Sequence, residues 1–170
     1  MRMPILLTIP AVLVASPVLA QSATGSVEVD GVVAGRCLFG LPNATISLGE
    51  ISLPGTGRLD VSKVNGRTAT LNAWCNGAAA TMTVTTTQLT TPTAAPGGFD
   101  NRVDYTGTAS VTSGSASDSS LTAGAGTPAN VGRFNGDILV TLSAASSPTG
   151  GLMVAGAYTG NVLVTLTPVN

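Results

Sequence analysis

The feature that most constrains this chain is an alternation of apolar and polar residues with a period of two. In one stretch Val103, Tyr105, Ala109 and Val111 are apolar, whereas the even-numbered residues between them are Asp, Thr or Ser. Successive side chains of a β-strand point to opposite faces, so this pattern predicts strands that bury one face. The same alternation recurs in the stretches 44–48, 69–75, 82–85, 138–142 and 158–166. Threonine supplies much of the polar side, and its β-branched side chain suits a pleated surface.

The residues between these stretches are typical of turns rather than helices. Asn65-Gly66 and Asn135-Gly136 precede predicted strands and Asn76-Gly77 follows one, and such pairs favour turns that need positive φ. No long window shows a capped helical period. About seven or eight short strands therefore predict one all-β domain, a sandwich with Greek-key connections.

Two connections between the predicted strands are long. Residues 90–101 are rich in Thr, Pro and Gly, and residues 112–130 are rich in Ser, Gly and Ala. The second is unusually long for a connection without secondary structure. Either a weak strand lies near Leu121 or this connection is mobile.

Residues 1–20 are typical of a secretory signal peptide. Arg2 gives a positive start, the following run is apolar, and Ala20 precedes the predicted cleavage site. A membrane anchor is the alternative, but two prolines interrupt the run and no charged stop-transfer flank follows it. We therefore expect export, with no membrane insertion of the mature chain.

The chain has two cysteines, Cys37 and Cys75. They are too far apart for a CxxC redox motif, and two thiolates without histidine make a poor metal site. Because an exported protein meets an oxidising compartment, the pair predicts one structural disulfide. Closing a loop of about 38 residues is worth ~4 kcal/mol on the chain-entropy argument.

Composition and motif content argue against an enzyme. The chain has no histidine, which excludes Ser-His-Asp and Cys-His nucleophile systems and histidine-ligated zinc. It has no phosphate-binding glycine loop, nucleophile elbow or zinc-protease motif. A net charge of −1 with scattered arginines gives no nucleic-acid footprint. We therefore expect no catalytic residue, no cofactor, no metal and no nucleic-acid partner.

The carboxylates give no firm site. Asp100 and Asp104, with Asn101 between them, could be oxygen ligands for calcium, but the later Glu of an EF-hand is missing. We expect ordinary solvated loop carboxylates there. Glu28 and Asp30 would share the polar face of a strand, and nothing in the sequence predicts the cleft that a glycosidase pair needs.

The segment between the predicted cleavage site and Cys37 also alternates. Its apolar or small positions are Ala23, Gly25, Val27, Val29, Gly31 and Val33, and its polar positions are Thr24, Ser26, Glu28 and Asp30. One interpretation is the first strand of the chain's own sandwich. The other is a strand donated to another molecule by β-augmentation.

This segment resembles the N-terminal region of chaperone–usher pilins. Residues 25–37 read GSVEVDGVVAGRC, similar to the pilin pattern G-x-V-x-F-x-G-x-V-V-x-x-x-C. Cys75 follows the apolar stretch 68–74, much as the pilin disulfide partner follows a short strand. Residues 156–166, GAYTGNVLVTL, resemble the terminal strand of archaic pilins and of spore-coat-U-like proteins. The resemblance covers both ends and the cysteine pair, and leaves residues 86–137 unmatched.

The resemblance implies an immunoglobulin-like Greek-key β-sandwich that lacks its final strand and is completed by donor-strand complementation. Its parts would be a signal peptide (1–20), an N-terminal donor-strand extension (21–36) and a pilin-like sandwich domain (37–170). The implied donor positions are Gly25, Val27, Val29, Gly31 and Val33. The implied strand beside the open groove, which pairs with the chaperone's strand, carries Tyr158, Val162, Val164 and Leu166.

The implied function is that of a structural subunit of a surface pilus or fimbria. The subunit would be polymerised by donor-strand exchange after chaperone–usher secretion and would support adhesion or biofilm formation. Its partners would be a periplasmic chaperone, an outer-membrane usher and neighbouring subunits in a homopolymer. It would pass through the periplasm to the cell surface.

The chain also departs from the type 1 pilin pattern. Val169 stands at the penultimate position instead of an aromatic residue, and Pro168 interrupts the terminal strand. Three assignments are therefore left open: a type 1-like pilin, an archaic pilin and a spore-coat-U-like protein. The alternative function is a self-contained secreted β-sandwich, a surface or matrix protein or an adhesin of spore-coat-U type, whose residues 23–33 fold back on its own sheet.

Overall fold

The computed structural model describes residues 21–169 of the chain. The chain divides into two compact units, Met1–Val32 and Val33–Asn170. In the first unit, residues 21–32 form no strand or helix. The predicted signal peptide, residues 1–20, lies outside the described residues.

The second unit is built from strands. They are β1 (Cys37–Leu41), β2 (Thr68–Cys75), β3 (Thr81–Thr90), β4 (Phe99–Asp100), β5 (Arg102–Val111), β6 (Gly114–Ser119), β7 (Ala129–Asn130), β8 (Phe134–Ser146), β9 (Leu152–Met153) and β10 (Thr159–Thr167). A single short 3-10 helix, Val61–Lys63, is described beside them. The all-β fold predicted from the alternation is confirmed.

Two layers of strands share β5. One layer has the order β1-β2-β8-β5-β6 and is antiparallel throughout. In the other layer β3 pairs with β10 on one side, and with β7 and the first two residues of β5 on the other. The register of β5 against β8 shifts between Asp104 and Thr106, close to where β5 leaves β3. One continuous strand therefore joins the two layers of the sandwich.

The apolar faces of both layers meet in the main core. Its buried residues include Leu71, Ala73, Met82, Val84, Ala109, Ile138, Val140 and Val164. A second cluster lies where β5 begins and β8 ends, and it comprises Ile51, Val64, Leu89, Val103, Tyr105 and Leu142. Val162 of β10 packs against both clusters, so the two are connected through the last strand.

The predicted disulfide is confirmed. Cys37 and Cys75 are joined with an S–S distance of 2.04 Å, and their Cα atoms lie 4.2 Å apart. The two residues are directly paired in the β1–β2 register. The bond therefore joins the first residue of β1, an edge strand of the described sheet, to the last residue of the neighbouring β2.

The stretch 44–48 was predicted as a strand and is not one. The pairing of β1 with β2 ends at Leu41, where the register is already irregular. The next residue, Pro42, has no N–H with which to continue the hydrogen-bond ladder. Residues 42–49 make no hydrogen bond to any residue between 21 and 169. Ile46 and Leu48 are nevertheless half-buried against the second core cluster. The alternation was thus read correctly, but a strand also needs a backbone partner.

The connection 112–130 holds a strand earlier than expected. β6 forms a hairpin with β5, whereas Leu121 lies outside any strand and is 67% exposed. The sequence of β6, GSASDS, gave only a weak strand signal, because small and acidic residues have a low propensity for strands. The hairpin partner decided the conformation.

Asp100 and Asp104 are buried, which corrects the expectation of solvated loop carboxylates. The Asp100 carboxylate accepts hydrogen bonds from the Thr149 hydroxyl and the Gly151 N–H, each at 2.9 Å. Burial alone would raise the pKa of Asp100, but these hydrogen bonds hold it below its ordinary value. Asp104 lies 3.3 Å from the Arg102 guanidinium. The Ser120 hydroxyl also donates to the Asp104 carboxylate at 3.3 Å. Both carboxylates are therefore structural groups, and each has at least one partner far along the chain.

Within the described part of the chain, no cluster of three or more His, Cys, Asp or Glu residues could hold a metal ion. Over the same residues, no helix combines the length and apolar character needed to cross a membrane.

Candidate binding groove

An open groove runs beside β10. One edge of this strand pairs with β3 along its length, and the other edge has no strand partner in the described chain. The cavities beside that free edge are also lined by residues 44–52. The groove therefore has two walls, the free edge of β10 and the irregular segment 42–49, and both carry unpaired backbone groups.

The bottom of the groove consists of core side chains. A cavity of about 280 Å³ is lined by the buried residues Leu71, Leu89, Tyr105, Val140 and Leu142. A second cavity of about 650 Å³ shares part of this lining and continues past residues 153–160. No charged side chain of the described residues lines the first cavity, and Glu50 is the charged residue that lines the second. The chemistry of the groove suits an apolar strand.

The structure places the predicted groove residues on or beside the inner face of β10. Val164 is buried, Val162 and Leu166 are half-buried, and the adjacent Leu163 points outward with 57% exposure. Val162 lines the first cavity and Tyr158, just before β10, lines the second. The Tyr158 hydroxyl donates to the carbonyl oxygen of Val154 at 2.9 Å, and burial raises the pKa of Tyr158. The alternation in the sequence had already predicted which face of β10 points inward.

The start of β10 contains an irregularity in its pairing with β3 that the sequence did not reveal. The register against β3 shifts between Thr159 and Asn161. A Cβ at Gly160 would lie 2.9 Å from the Gln88 carbonyl oxygen, so only glycine allows this close approach without movement. The buried Tyr105 hydroxyl donates to the Asn161 carbonyl at 3.3 Å. Tyr105 therefore ties the bottom of the groove to its edge strand, and burial raises the pKa of Tyr105 to about 12.

Gly107 is a second residue that sequence analysis missed. It occupies an inward-facing position of β5, and a Cβ there would lie 2.7 Å from Thr86 Oγ1 and 2.9 Å from both Val162 methyl groups. Val162 can therefore pack against β5 only because Gly107 has no side chain. The available signal was a glycine that interrupts the apolar positions of 103–111.

The predicted donor positions lie in the first unit and at the start of the second. Val27, Val29 and Val33 are 90%, 88% and 86% exposed, and Gly25 and Gly31 are exposed as well. Residues 21–35 form no strand, so a strand of the chain's own sheet is not observed at 23–33. The donor role of these positions stays a prediction.

Comparison with family models, with curated proteins and with solved structures finds no match to this chain. The resemblance to chaperone–usher pilins therefore rests on the sequence motifs alone.

Proposed function

We propose that this chain is a structural subunit of a surface pilus or fimbria that polymerises by donor-strand exchange. The observation that carries the proposal is the groove, in which core side chains are left accessible beside an unpaired strand edge. An unpaired edge next to accessible core is costly for a soluble monomer, because it invites aggregation. A subunit that is completed by another chain has a physical reason to keep such an edge.

A strand inserted into the groove would gain two kinds of interaction. Its backbone could pair with the free edge of β10 and with the unpaired segment 42–49, and alternate side chains would enter the cavity. Each valine that becomes fully buried contributes ~1.5–3 kcal/mol. Backbone pairing gives affinity, and the alternation fixes the register.

The occupant we propose is the segment 21–33 of a second copy. Its odd-numbered positions from Ala23 to Val33 are all apolar or small, so they would face the groove together in one strand register, and Val32 is the one apolar residue on the other face. The charged residues Glu28 and Asp30 would then face solvent. Before assembly, a periplasmic chaperone would lend the missing strand, and an outer-membrane usher would be the place of exchange. The resulting fibre would support adhesion or biofilm formation.

The test compares two valines of the arm that lie on opposite faces of the proposed strand. Val29→Asp would place a charge in an apolar groove, which costs several kcal/mol, and we expect it to abolish polymers. Val32→Asp is the matched control, because Val32 is also highly exposed but lies on the polar side of the alternation. Detergent-resistant ladders on unheated gels of surface extracts report polymerisation. Equal loss, or no loss, in the two variants would refute the role of the arm as a donor strand.

A second measurement separates this function from that of a self-contained secreted sandwich. We expect the wild-type subunit to be purified from the periplasm with a chaperone in a one-to-one ratio, and deletion of residues 21–34 to spare that complex while removing polymers. Abundant recovery as a stable monomer without a partner would instead support a surface or matrix protein of spore-coat-U type.

A further inference from the structure

Asn76 makes three hydrogen bonds to the chain just before the disulfide. Asn76 directly follows the last residue of β2, and its Oδ1 accepts a hydrogen bond from the Arg36 N–H at 2.6 Å. Its Nδ2 donates to the Ala34 carbonyl oxygen at 3.0 Å. Its backbone N–H donates to the Arg36 carbonyl oxygen at 3.0 Å. Three hydrogen bonds from one residue thus hold residues 34–36.

These contacts extend the pairing of β1 and β2 beyond the ends of both strands. The carboxamide of Asn76 offers an acceptor and a donor in the way a peptide group does, so it takes the place of the next residue of a strand. The Cys37–Cys75 disulfide lies immediately beside it. The two side-chain hydrogen bonds, the backbone hydrogen bond and the disulfide together restrain the segment from Ala34 to Cys37. Val33, the next residue upstream, is 86% exposed.

We propose that Asn76 is a positioning residue that fixes where the donor arm begins and the direction in which it leaves the subunit; this inference rests on the proposed function. If residues 34–36 were free, they would add a flexible link between one subunit and the groove that its arm fills. When Asn76 holds residues 34–36 against the end of β2, this flexible link is removed. Asn76 would therefore control the stiffness of the fibre rather than the affinity of the arm for the groove.

The first measurement uses amide hydrogen exchange in the purified protein and needs no polymer. In Asn76→Ala the Arg36 amide loses its acceptor and should exchange about fivefold to tenfold faster, as expected for one lost hydrogen bond. Asn76→Asp keeps an oxygen acceptor at the same place, so the Arg36 amide should stay slow. Asn65→Ala is the matched control, because Asn65 also precedes a glycine and its Oδ1 accepts from the backbone N–H of Ala145 at 2.9 Å, away from the arm.

The second measurement is the bending of fibres in electron micrographs. We expect Asn76→Ala fibres to form in normal amount but to have a persistence length shorter by about twofold or more, because both side-chain hydrogen bonds to residues 34–36 are lost and the link between subunits becomes more flexible. Asn65→Ala fibres should be as stiff as wild type. Fast exchange at Arg36 with unchanged stiffness would overturn the positioning role while leaving the proposed function intact. If wild-type protein forms no fibres, the proposed function fails and the positioning role fails with it.

Discussion

Gly107 lies in β5 directly against Val162 of the groove strand, and replacing it with alanine should destabilise the protein despite the small size of the change. The new Cβ would meet Thr86 Oγ1 at 2.7 Å and the two Val162 methyl groups at 2.9 Å. Real Cβ atoms do not approach other atoms so closely, so a neighbour has to move. Neither neighbour can move cheaply. Thr86 is held by its hydroxyl, which donates to the Asp118 carbonyl at 3.1 Å, and the χ1 of a valine is stiff.

The magnitude follows from two opposing contributions. Overpacking of a well-packed core costs ~1–3 kcal/mol, and the stiff neighbours place this site near the middle of that range. A Gly→Ala change also lowers the entropy of the unfolded chain, which stabilises the folded state by about 0.5 kcal/mol. We therefore expect the free energy of unfolding to fall by ~1.5 kcal/mol in Gly107→Ala.

The assay is urea unfolding of four proteins in a double-mutant cycle. Val162→Ala alone should cost ~1 kcal/mol, because it removes two half-buried methyl groups. In the double variant those methyl groups are no longer there to clash, so its loss should be smaller than the sum of the single losses by about 1 kcal/mol. Gly97→Ala is the control, since a Cβ there meets nothing within 4 Å, and it should change stability by less than about 0.5 kcal/mol.

Two results would refute this reasoning. If Gly107→Ala is as stable as Gly97→Ala, then Thr86 and Val162 move to accommodate the new Cβ at no measurable cost in stability. If the losses in the cycle are additive, the methyl groups of Val162 do not clash with the new Cβ, and the packing of β10 against β5 does not require glycine at position 107.

The other predictions concern the disulfide and two buried ionisable groups. Replacing both Cys37 and Cys75 with alanine should cost ~4 kcal/mol for a loop of this length, seen as a fall of roughly 8–16 °C in the thermal midpoint; a fall below about 4 °C would contradict it. The lowered pKa of Asp100 contributes stability that is present above the unfolded-state pKa of about 3.9 and is lost as pH falls through the folded-state pKa. Urea midpoints measured below pH about 5 should therefore fall less steeply in Asp100→Asn than in wild type, and equal slopes would contradict the assignment. Tyr105 has its pKa raised to about 12, so its contribution is complete below pH about 10 and is lost as pH rises towards 12. In Tyr158→Phe, where Tyr105 is the remaining tyrosine, the ultraviolet absorbance of tyrosinate should not appear until well above pH 10, and titration at an ordinary pKa would show that Tyr105 is not buried.

Local sequence was a good guide wherever burial alone decides the structure. The alternation of Val103 to Val111 and of Val162 to Leu166 identified both strands and their inner faces, because a period of two can bury only one face. The cysteine count and the expectation of export gave the disulfide. Ser and Gly concealed β6, since such residues form a strand only where a hairpin partner is available.

The candidate groove divides in the same way. Val162, Val164 and Leu166 could be found from the sequence because they alternate along one strand, and Tyr158 continues the same alternation just before it. The bottom of the groove could not, because Leu71, Leu89 and Tyr105 come from three strands that meet only in the folded chain. Asp100 and Asp104 were read as solvated for the same reason, since several of their partners lie far along the chain.

By itself, the sequence determined that the chain is an all-β protein, which faces of its main strands are buried, and that its two cysteines form one bond. These properties depend on residue type and spacing within a few positions. Tertiary structure alone decided that, among residues 21–169, the segment 42–49 stays unpaired and one edge of β10 stays free. It also decided that Val162 packs against Gly107 and that Asn76 binds residues 34 and 36. The physical reason is that hydrogen-bond partners and close contacts are set by which distant strands become neighbours, and a linear pattern does not contain that information.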